Sequence, residues 1–491
     1  MSGQENESTE IAKEALTLSG SNYLCRVIFL VRGLGVAALL QPEIYGIWSV
    51  LKSLQDSTAF ANLGASHALL REIAMNKGSR EQHSLQSTSL NLALLVTFAS
   101  STVLLILSFT PALSNIGAEL RISLIVMMLS VVTYHIPRQL LAHKDFYFLA
   151  RYLLIYALLN SLFSLVAVYF WGLTEMLWGL VLTHILAVLF VLKNGRISFS
   201  THFNRPLAAK LVSSGLPVMV GAALFFFLRA ADQFLVYAFI GATASGYYAI
   251  SNFVAMTVTQ IPVALASALF PRMMERHSGG ASRQEIEHLF FEPLKLICVG
   301  VPILLGLTYF ALEPMLVYVL PNYLPALDVI RIALLGIFFQ SIWSLSHPLL
   351  LAFEKQRQQM QIGLALLLLN IAAVYLTISN GGSVEAVSWV ASGMGVVSAI
   401  AILSYTFRLL DRASSANAKT LWDISWPITY GVACCLLIDH KLSIEATMMP
   451  VLVEALAKMF AFGLSSLPLL AYLWQAWSKR NQSVDETANR R

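Results

Sequence analysis

What most constrains this chain is a succession of apolar stretches, each about 20 residues long, that recurs from residue 15 almost to the C-terminus. A helix of that length spans about 30 Å, the thickness of a bilayer's hydrocarbon core. Inside lipid the backbone must satisfy its own hydrogen bonds, so a chain of such stretches folds as a helical bundle. The clearest stretches are 85–109, 122–141, 152–171, 177–192, 293–312, 333–352, 362–378, 387–405 and 451–474. Less sharply bounded ones at 15–40, 45–63, 212–240, 244–270 and 426–438 bring the expected count to about fourteen. The composition agrees, since only 12% of residues are charged where a soluble domain carries about 25%. The expected fold class is therefore an all-α polytopic membrane protein.

The basic residues set the expected orientation. Even-numbered connections carry Arg71, Lys77 and Arg80, then Arg138, Lys144 and Arg151, then Lys193, Arg196, Arg205 and Lys210. Arg272, Arg276 and Arg283 follow, then Lys355 and Arg357, and then Arg408, Arg412 and Lys419. Odd-numbered connections hold little beyond Arg121 and Lys441. Cytoplasmic loops are the ones enriched in Lys and Arg, so both termini are expected in the cytoplasm. The first sixteen residues lack a basic region leading into a cleavable segment, which agrees with a retained N-terminus. The net charge of +5 is dispersed between apolar segments, which argues against a nucleic-acid partner. Cys25, Cys298, Cys434 and Cys435 form no CxxC pair and have no metal-ligand spacing, so no disulfide and no metal site is expected.

The chain also repeats itself. Leu158-Leu159-Asn160, Gly172 and Glu175 recur as Leu368-Leu369-Asn370, Gly382 and Glu385. Leu18-Ser19-Gly20 precedes Arg32 much as Ser213-Ser214-Gly215 precedes Arg229. The expectation is two six-helix lobes, 1–206 and 207–410, in the same orientation, then two extra helices within 411–478 and a cytoplasmic tail at 479–491. Parallel repeats are a transporter plan with the cargo site where the lobes meet.

Within this apolar sequence sit Arg26, Arg32, Lys52, Asp56, Arg229 and Asp232. A charge at mid-membrane costs about 2.5 to 3.5 kcal/mol, so each needs a wet cavity or a partner. We read Arg26, Arg32, Lys52 and Arg229 as the lining of a cationic lumen for an anionic cargo, with Asp56 and Asp232 as charge partners or ion-coupling groups. The competing reading is structural, because Lys52 and Asp56 are four apart and Arg229 and Asp232 three apart, the spacing of pairs on one helix face. Glu454 and Lys458 form another four-spaced pair, read as structural, and Arg331 near Asp328 is expected to snorkel toward an interface. His184 and His347 are read as satisfied core histidines. Gly33-Leu34-Gly35 fits part of a dinucleotide fingerprint but has no preceding strand, so it is read as close helix packing. The sequence has no catalytic motif and no nucleotide-binding loop, so a transporter without cofactors is expected, driven by an H+ or Na+ gradient or by consumption of cargo.

Several stretches resemble one family. Gln41-Pro42-Glu43-Ile44-Tyr45-Gly46 followed by Ala61-Asn62-Leu63-Gly64 and Ala68-Leu69-Leu70-Arg71-Glu72 resembles the opening of Wzx-type polysaccharide flippases. These belong to the multidrug/oligosaccharidyl-lipid/polysaccharide exporter superfamily. Phe227-Leu228-Arg229-Ala230-Ala231-Asp232 through Gly246-Tyr247-Tyr248, then Leu269-Phe270-Pro271-Arg272, and Leu320-Pro321-Asn322-Tyr323 through Arg331 resemble later helices of the same family. The resemblance implies a MATE-like fold and alternating access. Its implied cargo is an undecaprenyl-diphosphate-linked oligosaccharide, moved across a bacterial inner membrane for O-antigen, capsule or exopolysaccharide synthesis. It also implies membrane lipid as surroundings, and a polysaccharide polymerase and chain-length proteins as partners. A peptidoglycan-precursor flippase shares the diphosphate cargo, a drug antiporter for organic cations would need a carboxylate-lined cavity, and a glycan polymerase would need a large outer loop.

Overall fold

The structure is a computed structural model that describes residues 2–75, 79–195, 200, 202–278, 283–412, 414–445 and 450–475. Among the described residues there are fifteen α-helices and three short 3-10 turns, and no strand. The first eight helices are α1 (Ser2–Leu39), α2 (Pro42–Ser57), α3 (Ala65–Met75), α4 (Ser79–Leu107), α5 (Gly117–Ala142), α6 (Phe146–Phe170), α7 (Leu173–Lys193) and α8 (Arg205–Phe239). They continue as α9 (Ala242–Ser278), α10 (Arg283–Val319), α11 (Leu327–Ala352), α12 (Gln356–Ser379), α13 (Val384–Leu409), α14 (Ser414–Glu445) and α15 (Val451–Ser465).

Among the described residues, thirteen segments are long and apolar enough to cross a membrane, and the expected crossing at 45–63 is the one that differs. It is broken into α2 and α3. Gln41 is extended, and Pro42 opens α2 at a position where its missing N–H costs nothing. After α2, a 3-10 turn over Thr58–Phe60 leads to Asn62, whose side chain donates to the Ala59 carbonyl at 3.0 Å and accepts from the Gly64 N–H at 3.0 Å. Leu63 and Gly64 then take positive φ values of 49° and 83°, which ends the helix. A Cβ on Gly64 would also overlap the Gly215 backbone, so the position excludes every side chain on two counts.

The chain divides into two compact units, Met1–Gly246 and Tyr247–Arg491, with α9 running across the boundary. In the first unit α5 is the most buried crossing, with α2, α4 and α7 packed around it. Its polar groups give the surrounding elements hydrogen-bond partners: Gln55 on α2 donates to Ser123 at 2.8 Å, Thr58 in the 3-10 turn and Ser130 are 3.0 Å apart, and Tyr152 on α6 donates to the Thr133 carbonyl at 3.1 Å. Below them Ile136, Leu140, Phe148, Leu149, Tyr152, Ala187 and Val191 form a buried cluster. Helix α1 lies along α6.

The second unit is built around α11, which packs on α10 and α13. Small residues let α11 and α13 approach: Ser392 Oγ donates to the Ile332 carbonyl at 2.9 Å, Ser388 Oγ to the Val329 carbonyl at 3.2 Å, and Gly336 faces the Ser392 backbone. Helices α14 and α15 pack on α10 and on each other. The repeated Leu-Leu-Asn motif falls on α6 and α12, each followed by a glycine turn, and Asn160 and Asn370 are both buried.

Candidate functional site

The six charges singled out above all lie in the first unit, on α1, α2 and α8. Arg26 is exposed, with its guanidinium 5.6 Å over the Tyr23 ring. Six residues on, Arg32 is drawn into the bundle, 5.8 Å over the Trp48 ring. Its Nε is buried and has no hydrogen-bond partner among the described residues. The charged and phenolic groups that act on it are Asp56, Tyr45, Tyr134 and Tyr156.

Lys52 and Asp56 form a direct ion pair along α2, and both side chains are 38% exposed. This pair holds its charges against each other along α2, while Arg32 has Asp56 within electrostatic reach but no ion pair of its own among the described residues. His184 lies within electrostatic reach of Lys52 and Arg32, and its Nδ1 is 2.9 Å from Thr133 Oγ1, as a satisfied core histidine should be. The side chain of His347 falls outside the described residues.

Helix α6 completes the cluster with a polar stripe that sequence reasoning passed over. Tyr152, Tyr156, Asn160 and Ser164 are spaced four apart, which places them on one face. The Tyr156 ring tilts against His184 at 5.7 Å and its hydroxyl bonds Asn160. Asn160 Oδ1 and the Ser161 and Ser164 hydroxyls are buried with no hydrogen-bond partner among the described residues. Buried polar atoms are almost always paired, so a group of orphans on a helix that packs along α1 marks a place suited to ligand or water.

On α8, Asp232 is buried and Arg229 half-buried, and each engages other groups. The adjacent Gln233 donates to Ser49 Oγ at 2.8 Å and to the Ser245 carbonyl at 2.9 Å, tying α8 to α2. Glycines allow that seam. A Cβ on Gly46 would overlap the Ala242 carbonyl, and one on Gly246 would overlap the Pro42 carbonyl, so the two turns meet reciprocally. At the far end Gly64 meets Gly215, and Lys210 reaches Glu72 at 2.6 Å.

The second unit holds a different constellation. Lys458, 5% exposed, pairs with both Asp439 and Glu454 at 2.6 Å, so the four-spaced Glu454–Lys458 pair forms. Tyr309 donates to Asp439 at 3.2 Å, and Arg331 lies 4.5 Å over the Tyr309 ring with Glu313 at 3.6 Å. Arg331 thus turns into the bundle instead of snorkelling beside Asp328, because Glu313 and the Tyr309 face offer it partners there.

Thirteen helices long and apolar enough to cross a membrane, carrying charges along their length, define a multi-pass helical membrane protein. The fold is shared with a structure of the "Lipid II flippase MurJ, inward closed conformation", at a TM-score of 0.72 and 11% identity over 94% of this chain and 99% of that one. It is also shared with an inward-facing multidrug resistance MATE family transporter of the MOP superfamily, at a TM-score of 0.65 and 13% identity over 81% and 96%. A Shigella flexneri protein described as "Putative O-antigen transporter" is 21% identical over 378 residues, 74% of this chain and 88% of that protein. A family model described as "Polysaccharide biosynthesis protein" matches residues 36–326. The chain belongs to that family of polysaccharide biosynthesis proteins.

Proposed function

We propose that this transporter flips an undecaprenyl-diphosphate-linked oligosaccharide from the cytoplasmic to the outer leaflet of a bacterial inner membrane, with both termini cytoplasmic. The observation that carries the reading is Arg32: a guanidinium drawn into the first unit whose Nε is buried with no hydrogen-bond partner among the described residues, within electrostatic reach of Tyr156, which bonds Asn160. A guanidinium fork matches phosphate oxygens bidentately, and the tyrosines and Asn160 offer the hydrogen bonds a glycan uses. Arg26, Arg229 and Lys52 add positive charge along the path, and lobes 1–206 and 207–410 rock around it, followed by the pair in 411–478. A coupling ion, H+ or Na+, acts at Asp56 or Asp232. The likeness in fold to a lipid II flippase supports a second reading, a peptidoglycan precursor, whose diphosphate would use the same arginine.

The test is transport of fluorescent polyprenyl-diphosphate oligosaccharides into liposomes. Wild type is compared with Arg26→Ala, Arg32→Ala and Arg229→Ala, and an O-antigen-type glycan with a muropeptide head group. The reading expects Arg32→Ala to lose most transport and the O-antigen-type head to be preferred. Normal transport by all three correctly inserted variants would overturn it.

A further inference from the structure

The second unit contains a cavity of about 540 Å3 between α10, α11, α13 and α14, inside the size range of ligand pockets. Apolar side chains make up most of its wall, and its polar groups gather at one end. Asp328 lies in the first turn of α11, Glu385 in the first turn of α13, and Arg331 one turn further along α11. Helices α11 and α13 each cross once and are separated by the single returning crossing α12, so their first turns share one end of the bundle. Trp389 and Leu436, on the rim, are 57% and 59% exposed, so the cavity opens sideways between α13 and α14. In a multi-pass protein that side faces lipid.

The polar end carries an imbalance. Arg331 Nε is buried and unpartnered, and its nearest carboxylate, Glu313, stands at 3.6 Å, long for a hydrogen bond. Among the described residues Asp328 and Glu385 have no ion-pair partner, and each sits in the first turn of its helix, at the positive end of the helix dipole. Two carboxylates and one guanidinium at headgroup depth, above an apolar hollow, complement an amphiphile whose head carries both a phosphate and a primary ammonium. An anionic head without an amine would leave both carboxylates facing negative charge. A quaternary ammonium could not donate hydrogen bonds to them.

We propose that this cavity binds a zwitterionic aminophospholipid of the phosphatidylethanolamine class from the surrounding leaflet. Its phosphate meets Arg331, its ammonium sits between Asp328 and Glu385, and an acyl chain fills the space between α10 and α14. On the topology proposed above this is the outer leaflet. The bound lipid fills the gap between the α11–α13 pair and α14.

Native mass spectrometry of the purified, delipidated full-length protein, titrated with phosphatidylethanolamine, phosphatidylglycerol or phosphatidylcholine, tests the proposal independently of cargo transport. One phosphatidylethanolamine should be retained in preference to the other two. Arg331→Gln, and separately the double variant Asp328→Asn, Glu385→Gln, should each weaken it about tenfold, the loss of one charge-assisted contact. Gly431→Leu blocks the apolar body instead. A Cβ there meets only Pro302, at 3.5 Å for the nearer atom, so the backbone accepts the change and retention should vanish. Equal retention of phosphatidylglycerol, unchanged retention in the variants, or competitive displacement by a polyprenyl diphosphate would each overturn the assignment.

Discussion

Each unit of this protein holds charged side chains on its membrane-length helices, and the two groups are satisfied in opposite ways. In the first unit the Lys52–Asp56 pair is self-contained and more than a third exposed, while Arg32 has aromatic and phenolic neighbours and an Nε with no partner. In the second, Lys458 is 5% exposed and held between two carboxylates, one of which also accepts from Tyr309. Burying a charge is costly unless it is paired, so a saturated network is a device for holding helices together. A cation left unsatisfied beside orphaned polar atoms is stable only where water or a ligand completes it. The contrast separates the charges that fix α14 and α15 onto α10 from Arg32, the charge proposed to meet cargo.

The comparison is most easily broken at Lys458. Lys458→Ala strands Asp439 and Glu454 and is expected to destabilise the protein by about 3 kcal/mol, at the lower end for broken buried pairs because both carboxylates retain some exposure. Thermal unfolding in detergent checks this. A stability unchanged by the substitution would place the network in water. Arg32→Ala should behave oppositely. Asp56 keeps Lys52 as its partner, so the unfolding temperature should hold while cargo affinity falls about tenfold to a hundredfold, the range for hydrogen bonds to a charged group.

How much of this could be read in the sequence differs between the two regions. The break at Gln41-Pro42 was legible as the gap between the crossings expected at 15–40 and 45–63, because proline acts locally, whereas the turn at Asn62-Leu63-Gly64 was not read as one although its asparagine and glycine were there to be seen. The period-four stripe Tyr152, Tyr156, Asn160, Ser164 was also present to be read, and was missed because each residue alone is unremarkable in an apolar helix. The second network was not legible beyond its Glu454–Lys458 pair. Glu313, Arg331, Asp439 and Lys458 come from four helices far apart in the chain, and only tertiary packing brings them together.

Two smaller effects sharpen the picture of the first unit. Gly64→Ala places a Cβ against the Gly215 backbone at a positive φ, a strain of about 1 to 3 kcal/mol. It should push α3 from α8 and raise the reactivity of a Ser213→Cys thiol toward a water-soluble maleimide, with no change if the seam is already open. The double variant Lys52→Met, Asp56→Asn should shift stability by no more than about 1 kcal/mol, because an exposed pair contributes little. Retained transport in that variant would separate the pair from the cargo site.

The most direct test of Arg32 is a binding cycle. Dissociation constants are measured for a polyprenyl-diphosphate oligosaccharide and for the same glycolipid lacking the diphosphate, on wild type and on Arg32→Ala. If the guanidinium holds the phosphates, the substitution weakens only the diphosphate form and the two changes are strongly non-additive. Equal weakening of both ligands, or no change for either, would contradict it.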